Sequence, residues 1–551
     1  MTYKHSGALE LTWTNKHLRL LAHDDSVYEW VEPSDFRVSE VRLLNTVCSV
    51  GEVQPERERA KDNLLIRGDS LHGLTSLVRL PEFAAEYKGK VKLVYIDPPF
   101  NTGQAFTHYD DGLEHSVWLT MLRDRLEQIK ALLRPDGSVW VHLDDAEQHR
   151  ARVVLDEVFG IDNFVATVIW QKVYSPKNSA RHLSVDQDYI HIYAKSAEMW
   201  RPHPLGRTEE MDAAYKNPDN DPRGPWKPGD LLANKPYSKG TYPITTPSGR
   251  IIAGPPAGRF WRVSAERLAD LDSDNRVWWG KDGAAVPQVK RFLSDVRGRV
   301  PQTFWPYREV GHNQDARNEI AALLDDKKVA PFSTPKPERL IERIIHIGSN
   351  PGDIVLDCFA GSGTTAAVAQ KMGRRWVTVE WSADNIAEFT LPRLEKVVKG
   401  EDPGGVTESA GWEGGGGFRL LDVAPSVYEV SGASILLADS VTAGELAESV
   451  AAQLGFTYEL DGAFCGRKNK MRLAVIDGVL SDDIVRLLVG ALADGERVTV
   501  VATAAEAGAE DLLRSLSPGS RARKVPRDLA RLSRRRSEKV QLILDGLESQ
   551  R

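Results

Sequence analysis

Short apolar runs alternate with longer amphipathic segments from residue 63 onward, and this alternation restricts the fold more than any other feature. The runs lie at 63–67, 91–96, 138–143 and 164–170, and each is rich in Val, Ile and Leu. One of the helix-like segments between them, SVWLTMLRDRLEQIKALL, lies at 116–133. Such an alternation is typical of parallel strands covered by helices. The sequence therefore predicts an α/β fold with a parallel central sheet.

The alternation is interrupted twice, which divides the chain. Residues 197–330 are loaded with Pro, Gly, Trp, Lys and Arg and predict an insert of short strands and long loops. Residues 399–417 are rich in glycine and predict a linker or the loop of a hairpin. The predicted parts are an N-terminal arm (1–61), the first half of the core (62–196), the insert (197–330), the second half of the core (331–398), the glycine-rich segment (399–417) and a small C-terminal α/β domain with a basic tail (418–551).

Composition and charge bear on several classes of protein. The 551 residues show neither a secretory leader nor an apolar run near the ~20 residues of a membrane helix, so a cytoplasmic protein without a membrane partner is expected. Cys48, Cys358 and Cys465 form no CxxC pair, which indicates neither a metal site nor a disulfide framework. The net charge of -7 argues against a uniformly basic surface and says little about a local basic cleft.

The tetrapeptide Asp97-Pro98-Pro99-Phe100 directly follows the apolar run at 91–96. It therefore lies at the carboxyl end of a parallel strand, where open α/β sheets bind ligands. Consecutive prolines fix φ and cannot donate backbone hydrogen bonds, so the turn is stiff and its carbonyls can point outward. The Asp97 carboxylate and the Pro98 carbonyl can then accept hydrogen bonds from an amino group. The alternative is that the two prolines form a purely structural turn, which binds no ligand.

A second motif follows the apolar run at 354–357 and opens a helix. Its sequence is Asp357-Cys358-Phe359-Ala360-Gly361-Ser362-Gly363-Thr364-Thr365. A glycine turn between a strand and a helix lets a ligand lie close against backbone amides. No Lys follows the glycines and the G-x-G-x-x-G spacing is absent, which excludes a phosphate loop and a dinucleotide fingerprint. Glu380 ends the next apolar run, where an acid can bind the hydroxyls of a ribose.

The order of the two motifs, with a large insert between them, resembles the beta group of DNA amino-methyltransferases. In that family the catalytic half precedes the cofactor half, a circular permutation of the Rossmann-like methyltransferase core. Further segments that agree with it are Gly68-Asp69-Ser70, Asn101-Thr102-Gly103, residues 186–195 and Ser333-Thr334-Pro335-Lys336-Pro337-Glu338. The likeness is strongest to modification subunits of Type III restriction systems and covers about residues 62–398.

The resemblance implies transfer of a methyl group from S-adenosylmethionine to the exocyclic amino group of adenine (N6) in double-stranded DNA. Asp97, Pro98, Pro99 and Phe100 would be catalytic, although many relatives have Tyr or Trp in place of Phe100. The residues that would bind the cofactor are Asp69, Thr334, Lys336, Asp357, Phe359, Ala360, Gly361, Ser362, Gly363, Thr364 and Glu380. The base would have to leave the duplex to reach them, and Phe100 would stack on it.

The insert would then recognise the DNA sequence, because its aromatic and cationic side chains suit contacts to phosphates and base edges. The residues predicted to contact DNA, within the insert and just before it, are Lys172, Lys177, Arg181, Trp226, Lys227, Arg250, Arg259 and Arg262. The tryptophans of the insert can instead be core residues, and burial in a core is the more common environment of a large aromatic side chain.

Several alternatives stay open at this point. Methylation of cytosine at N4 uses the same pair of acceptors. Carbon-5 methylation of cytosine is disfavoured, because that reaction needs a nucleophilic Cys that family members place after Pro, and no Cys in this sequence follows Pro. A non-catalytic DNA-binding subunit of the same fold is disfavoured by the intact Asp97, and an RNA or protein methyltransferase by the long insert. The resemblance also leaves room for a restriction or translocase partner and for a homodimer.

Overall fold

The computed structural model describes residues 9–22, 28–33, 35–101, 105–106, 109–110, 114–175, 180–296, 298–324, 332, 334–431, 434–438 and 441–525. The chain forms two compact units, of which the first comprises 1–201 and 302–551 and the second is Pro202–Pro301. Among the described residues, no helix combines the length and the hydropathy needed to cross a membrane.

Ten strands form the central sheet of the first unit. In chain order they are β1 (Leu44–Gly51), β2 (Asn63–Arg67), β3 (Val91–Ile96), β4 (Leu133–Leu143), β5 (Phe164–Gln171), β6 (Gln187–Ala194), β7 (Phe304–Trp305), β8 (Ile354–Asp357), β9 (Arg375–Glu380) and β10 (Gly417–Val423). Their order across the sheet is β7-β5-β6-β4-β3-β8-β9-β2-β10-β1. The six strands from β4 to β10 in this order run parallel, whereas β6 and β1 run antiparallel to their neighbours. The predicted α/β fold with a parallel central sheet is confirmed.

Helices connect these strands. In chain order they are α1 (Ser70–Arg79), α2 (Pro81–Tyr87), α3 (His115–Leu132), α4 (Gln148–Phe159), α5 (Asn313–Leu324), α6 (Glu338–Gly348), α7 (Thr364–Lys371) and α8 (Leu391–Lys399). Of these, α1, α2, α3 and α4 share one apolar core with the strands. Trp118 and Leu122 of α3 are buried in the same cluster as Val94 of β3 and Leu356 of β8. Burial of this apolar surface is what holds the central strands and the helices together.

The first unit also contains a second, five-stranded sheet near its C-terminal end. Its strands are β11 (Thr457–Asp461), β12 (Phe464–Lys468), β13 (Met471–Leu480), β14 (Arg497–Ala505) and β15 (Arg521–Lys524), and its helices are α9 (Ala443–Leu454), α10 (Asp482–Gly490) and α11 (Ala509–Leu516). The strands follow one another in this order, with β13, β14 and β15 parallel. This is the small C-terminal α/β arrangement that the fold prediction included.

The glycine-rich segment contains the short helix Thr407–Ala410 and a packed turn that leads the chain into β10 of the central sheet. Gly414 has a φ of 102°, and a Cβ there would lie 2.8 Å from the Gly400 nitrogen. Only glycine fits such a close approach. In the central sheet β10 lies between β2 and β1. The C-terminal region therefore contributes a strand to the sheet of the core.

The second unit consists of short strands and loops around a small core. Its largest sheet pairs Trp226–Asp230 with Gln288–Phe292 and the latter with Val277–Trp278. The chain returns to the first unit before residue 330, since β7 and α5 belong there. Other short elements of the chain are Arg19–Ala22, Tyr28–Val31, Phe36–Ser39, Ala105–Phe106, Tyr109–Asp110, Glu209–Asp212, Leu232–Ala233, Ile244–Thr245, Ile251–Ile252, Phe260–Trp261, Ala265–Ser273, Tyr307–Val310, Ala383–Asn385, Thr407–Ala410, Tyr428–Ser431 and Ser434–Leu437.

Candidate active site

Two adjacent parallel strands at the centre of the sheet, β3 and β8, bring the two sequence motifs together. In their register Leu356 lies beside Val94, so Asp97 and Asp357 both lie at the carboxyl edge of the sheet. The next strand after β3 is β4, on one side, and the next strand after β8 is β9, on the other. Such a reversal of strand order opens a crevice, and open α/β sheets bind their ligands there.

A cavity of about 840 Å³ opens at this edge. Pocket volumes of this order accommodate small organic ligands. All four residues of the first motif, Asp97, Pro98, Pro99 and Phe100, line it. The predicted cofactor residues that line it are Thr334, Lys336, Asp357, Phe359, Ala360, Gly361, Ser362, Thr364 and Glu380. The two motifs therefore face one shared cavity.

Buried side chains hold the turn of the first motif from behind. Trp118 of α3 is fully buried and donates its indole N–H to the Pro99 carbonyl at 2.6 Å. Asn101, whose φ of 59° is in the left-handed region, donates through Nδ2 to Oε1 of Glu147 at 2.8 Å. Glu147 is itself fully buried. These contacts fix the turn against the core, so the positions of its acceptors are set before any ligand arrives.

Lys336 contacts both ends of the first motif. Its ammonium group pairs with Oδ2 of Asp97 and lies 5.1 Å from the centroid of the Phe100 ring. The other carboxylate oxygen, Oδ1 of Asp97, is buried and has no hydrogen-bond partner in the described part of the chain. A buried acceptor without a donor is costly unless a ligand supplies one. Asp97 therefore keeps one oxygen available for an incoming N–H group.

A chain of buried polar side chains lies next to Phe100. The Tyr95 hydroxyl lies 2.8 Å from Nδ1 of His142, and Nε2 of His142 lies 3.3 Å from Oδ2 of Asp188. Asp188 in turn accepts from Lys172 at 2.6 Å. Burial lowers the pKa of His142, so its ring, 5.9 Å from that of Phe100, is neutral near pH 7. Lys172, which was predicted to contact DNA, lines the cavity in an ion pair.

The glycine turn of the second motif forms the opposite part of the cavity. Gly361 has a φ of 50°, and a Cβ there would lie 3.2 Å from the Phe332 ring. Its N–H donates to Oε2 of Glu380 at 2.8 Å. The Ser382 N–H donates to the other oxygen, Oε1, at 3.0 Å. The Glu380 carboxylate is thus fixed at the end of β9, and both of its oxygens keep lone pairs for further donors.

Asp357 has an unusual proton affinity. Burial raises the pKa of this carboxyl to about 7, and the nearby charges of Asp97 and Glu380 add to the rise. Two hydrogen bonds fix its position, one from the Thr365 hydroxyl at 2.7 Å and one from the Phe359 N–H at 3.0 Å. A cationic group bound against Asp357 would favour the ionised form and lower the pKa again.

A buried ionic network supports the second motif from behind. Arg393 of α8 donates to Oγ1 of Thr364 at 2.8 Å and pairs with Glu338 at 2.7 Å. Lys371 of α7 pairs with Glu338 at 2.8 Å and with Asp402 at 2.5 Å. The network connects the glycine turn to the start of α6, two residues after Lys336. Sequence reasoning missed Lys371, Arg393 and Asp402 because they are far apart in the chain and form no motif.

Two predicted cofactor residues, Asp69 and Gly363, do not line the cavity. Asp69 caps α1 by accepting from the Leu71 N–H at 2.8 Å, and its second oxygen pairs with Arg125 at 2.6 Å. A cap and an ion pair satisfy this carboxylate, and it does not line the cavity, although Arg125 does. Gly363 precedes α7 with a φ of 77°, and a Cβ there would lie 2.9 Å from Thr390. Its role is to allow close packing in the turn.

The residues predicted to contact DNA have different environments. Trp226 is 3% exposed and its indole N–H donates to Asp219 at 2.8 Å, so it is a core residue of the second unit and its ring is covered. The ammonium of Lys227 lies 5.0 Å from the centroid of the Tyr215 ring. Arg181, Arg250, Arg259 and Arg262 are exposed. Lys177 lies outside the described residues, as do Thr102, Gly103 and Ser333.

Comparisons with known proteins identify the family of this chain. The sequence matches the DNA methylase family of N6 and N4 methyltransferases over residues 91–389, more than half of its length, and the chain belongs to that family. The resemblance drawn from the two motifs is confirmed at this level.

Three curated relatives illustrate the similarity. The Type III restriction-modification enzyme StyLTI Mod subunit of Salmonella typhimurium is 32% identical over 336 residues, 55% of this chain and 49% of that protein. The probable type III restriction-modification enzyme HindVI Mod subunit of Haemophilus influenzae is 30% identical over 432 residues, 68% of this chain and 56% of that protein. DNA adenine methyltransferase YhdJ of Escherichia coli is 42% identical over 106 residues, 19% of this chain and 35% of that protein. This chain thus spans about half the length of the two Mod subunits.

Proposed function

We propose that this protein is a DNA methyltransferase that transfers a methyl group from S-adenosylmethionine to N6 of adenine. The observation that carries the proposal is the shared cavity, in which a rigid pair of acceptors faces a glycine turn across the carboxyl edge of β3 and β8. A methyl donor on the glycine turn and an amino group on the acceptors would lie beside each other. That proximity is the main requirement of a direct transfer.

The residues of the second motif fit S-adenosylmethionine. The lone pairs of Glu380 suit the two hydroxyls of a ribose, and Gly361 leaves space where a Cβ would meet Phe332. Asp357 is a carboxyl that a cationic amino group would stabilise in its ionised form. The cofactor supplies the methyl group as part of a sulfonium, which is an electrophile.

The residues of the first motif would activate the base. The amino group of a nucleobase is a poor nucleophile, because its lone pair is delocalised into the ring. Hydrogen bonds to Oδ1 of Asp97 and to the Pro98 carbonyl would move the nitrogen towards tetrahedral geometry and free its lone pair. Phe100 would stack on the base, and Lys336 would hold Oδ2 of Asp97 in place. After transfer the nitrogen loses a proton, which Asp97 can accept, and neither a metal nor a covalent enzyme intermediate is required.

Adenine is the proposed base because a DNA adenine methyltransferase shares 42% identity with part of this chain. Methylation of cytosine at N4 is the alternative, since the same acceptors would serve it.

The similarity to two Mod subunits supports a role as the modification component of a restriction system, with a restriction subunit as partner. Double-stranded DNA in the cytoplasm would be the substrate, bound through exposed cations such as Arg259, and the protein would act as a monomer or a homodimer.

The test is methyl transfer from labelled S-adenosylmethionine to unmethylated genomic DNA, followed by sequencing that detects modified bases. Wild type should methylate adenine in one short motif, and Asp97→Ala should abolish the transfer without loss of cofactor binding. Asp162→Ala is the matched control, because Asp162 is an exposed carboxylate of the same unit. Methylcytosine would favour the alternative base, and a protein that binds no cofactor would contradict the proposal.

A further inference from the structure

The N-terminal segment that precedes the family match forms a hairpin. Its strands, Arg19–Ala22 and Tyr28–Val31, pair antiparallel, with Ala22 opposite Tyr28. They lie well before residue 91, where the match to the DNA methylase family begins. The sequence of this arm carries no motif, so any function has to be inferred from its contacts.

Polar contacts anchor the hairpin and the residues before it to α3. Arg19 pairs with Asp124 at 2.6 Å and with Glu127 at 2.8 Å. The indole N–H of Trp13 donates to Oγ1 of Thr120 at 2.8 Å. Because Asp124 is 3% exposed, its ion pair with Arg19 is largely shielded from solvent. The arm is therefore a fixed part of the first unit over these residues.

Helix α3, which the N-terminal arm contacts, also forms part of the cavity wall. Met121 and Arg125 of α3 line the cavity, and they lie within one turn of the anchoring residues Thr120 and Asp124. The second strand of the hairpin begins at Tyr28, which lines the same cavity. The anchoring contacts thus hold Tyr28 at the wall.

Tyr28 contacts Trp381, an aromatic residue on the side of the cavity that the second motif forms. Its ring centroid lies 6.4 Å from that of Trp381, with the planes at 77°. Trp381 directly follows Glu380, is 36% exposed and also lines the cavity. Two aromatic rings in an edge-to-face arrangement therefore form a corner beside the Glu380 carboxylate.

We infer that the N-terminal hairpin completes the cofactor site and that Tyr28, together with Trp381, binds the adenine ring of the cofactor. The inference rests on the proposed function, because it takes the ligand to be an adenosine derivative. In such a ligand the purine is attached directly to the ribose. A ribose held by Glu380 would therefore place the purine at the neighbouring aromatic corner. A purine has flat apolar faces, and contact with aromatic rings contributes favourable binding free energy to them.

The test measures binding of S-adenosylhomocysteine and of 5′-methylthioadenosine to the full chain by titration calorimetry. The second compound carries the adenosine but not the amino-acid end. Tyr28→Ala should weaken both ligands by the same factor, about ten-fold, whereas Tyr28→Phe should bind as wild type does. Tyr237→Ala, a tyrosine of the second unit, is the matched control and should change neither affinity. Thermal unfolding of Tyr28→Ala within a few degrees of wild type would show that the fold persists.

The outcomes separate the inference from the proposed function. Wild type that binds neither ligand would contradict the proposed function. Wild-type binding with unchanged affinity in Tyr28→Ala would contradict the inference alone. Weakening of S-adenosylhomocysteine without weakening of 5′-methylthioadenosine would place Tyr28 at the amino-acid end of the ligand and would also overturn the inference.

Discussion

Cofactor affinity of the wild-type protein should depend on pH near pH 7, and replacing Asp357 with Asn should abolish this dependence. Burial raises the pKa of the Asp357 carboxyl to about 7, so the group is mostly protonated at pH 6 and mostly ionised at pH 8. A cofactor whose amino group is cationic should bind the ionised form. Affinity should therefore rise with pH, and binding should release a proton below pH 7.

The size of the effect follows from the ionised fraction of Asp357. With a pKa of about 7, the fraction is roughly 0.09 at pH 6 and roughly 0.9 at pH 8. When only the ionised form binds, the apparent dissociation constant is the intrinsic one divided by that fraction. The affinity should then be about ten-fold higher at pH 8 than at pH 6.

The assay is titration calorimetry with S-adenosylhomocysteine at pH 6, 7 and 8, in buffers of different ionisation enthalpy. The amino group of the ligand also titrates, but it does so equally for both proteins, so the difference between wild type and Asp357→Asn isolates Asp357. An identical pH dependence in the two proteins, or a wild-type affinity that falls as the pH rises, would refute the reasoning.

Two further substitutions probe the supports of the site. Trp118→Phe removes the hydrogen bond to the Pro99 carbonyl, so methyl transfer should slow about ten-fold while the cofactor dissociation constant is unchanged; equal losses in rate and affinity would speak against a positioning role. Lys371→Met leaves the buried Glu338 and Asp402 with one cation fewer and should lower the free energy of unfolding by about 3–5 kcal/mol in a urea titration. Wild-type stability would show that water or a rearranged Arg393 replaces the lost charge.

The elements of the core could be predicted because their signals are local. The apolar runs at 63–67, 91–96 and 354–357 became β2, β3 and β8, and the motifs that follow them lie at the carboxyl edge of the sheet. A strand followed by a turn and a helix is set by residues that are neighbours in sequence. The parallel sheet then brings the ends of adjacent strands together.

The supports of the site could not be predicted, because they depend on contacts between distant parts of the chain. Glu147 lies 46 residues from Asn101, and nothing in the sequence joins them. The same holds for Tyr28 and Trp381. Asp69 was placed in the cofactor site by resemblance, but Arg125 and the cap of α1 satisfy its carboxylate. Such competing partners are invisible in a sequence until the fold positions them.

The position of β3 between β4 and β8 has a consequence for synthesis on the ribosome. When β4 has emerged, β3 has only one partner, and its other edge stays open until Ile354–Asp357 is made. At about 5–20 residues per second this takes some tens of seconds. Throughout that interval the nascent chain exposes an unpaired apolar strand edge, which favours aggregation or the binding of a chaperone. The first motif is therefore translated early, but its place at the centre of the sheet is completed only late.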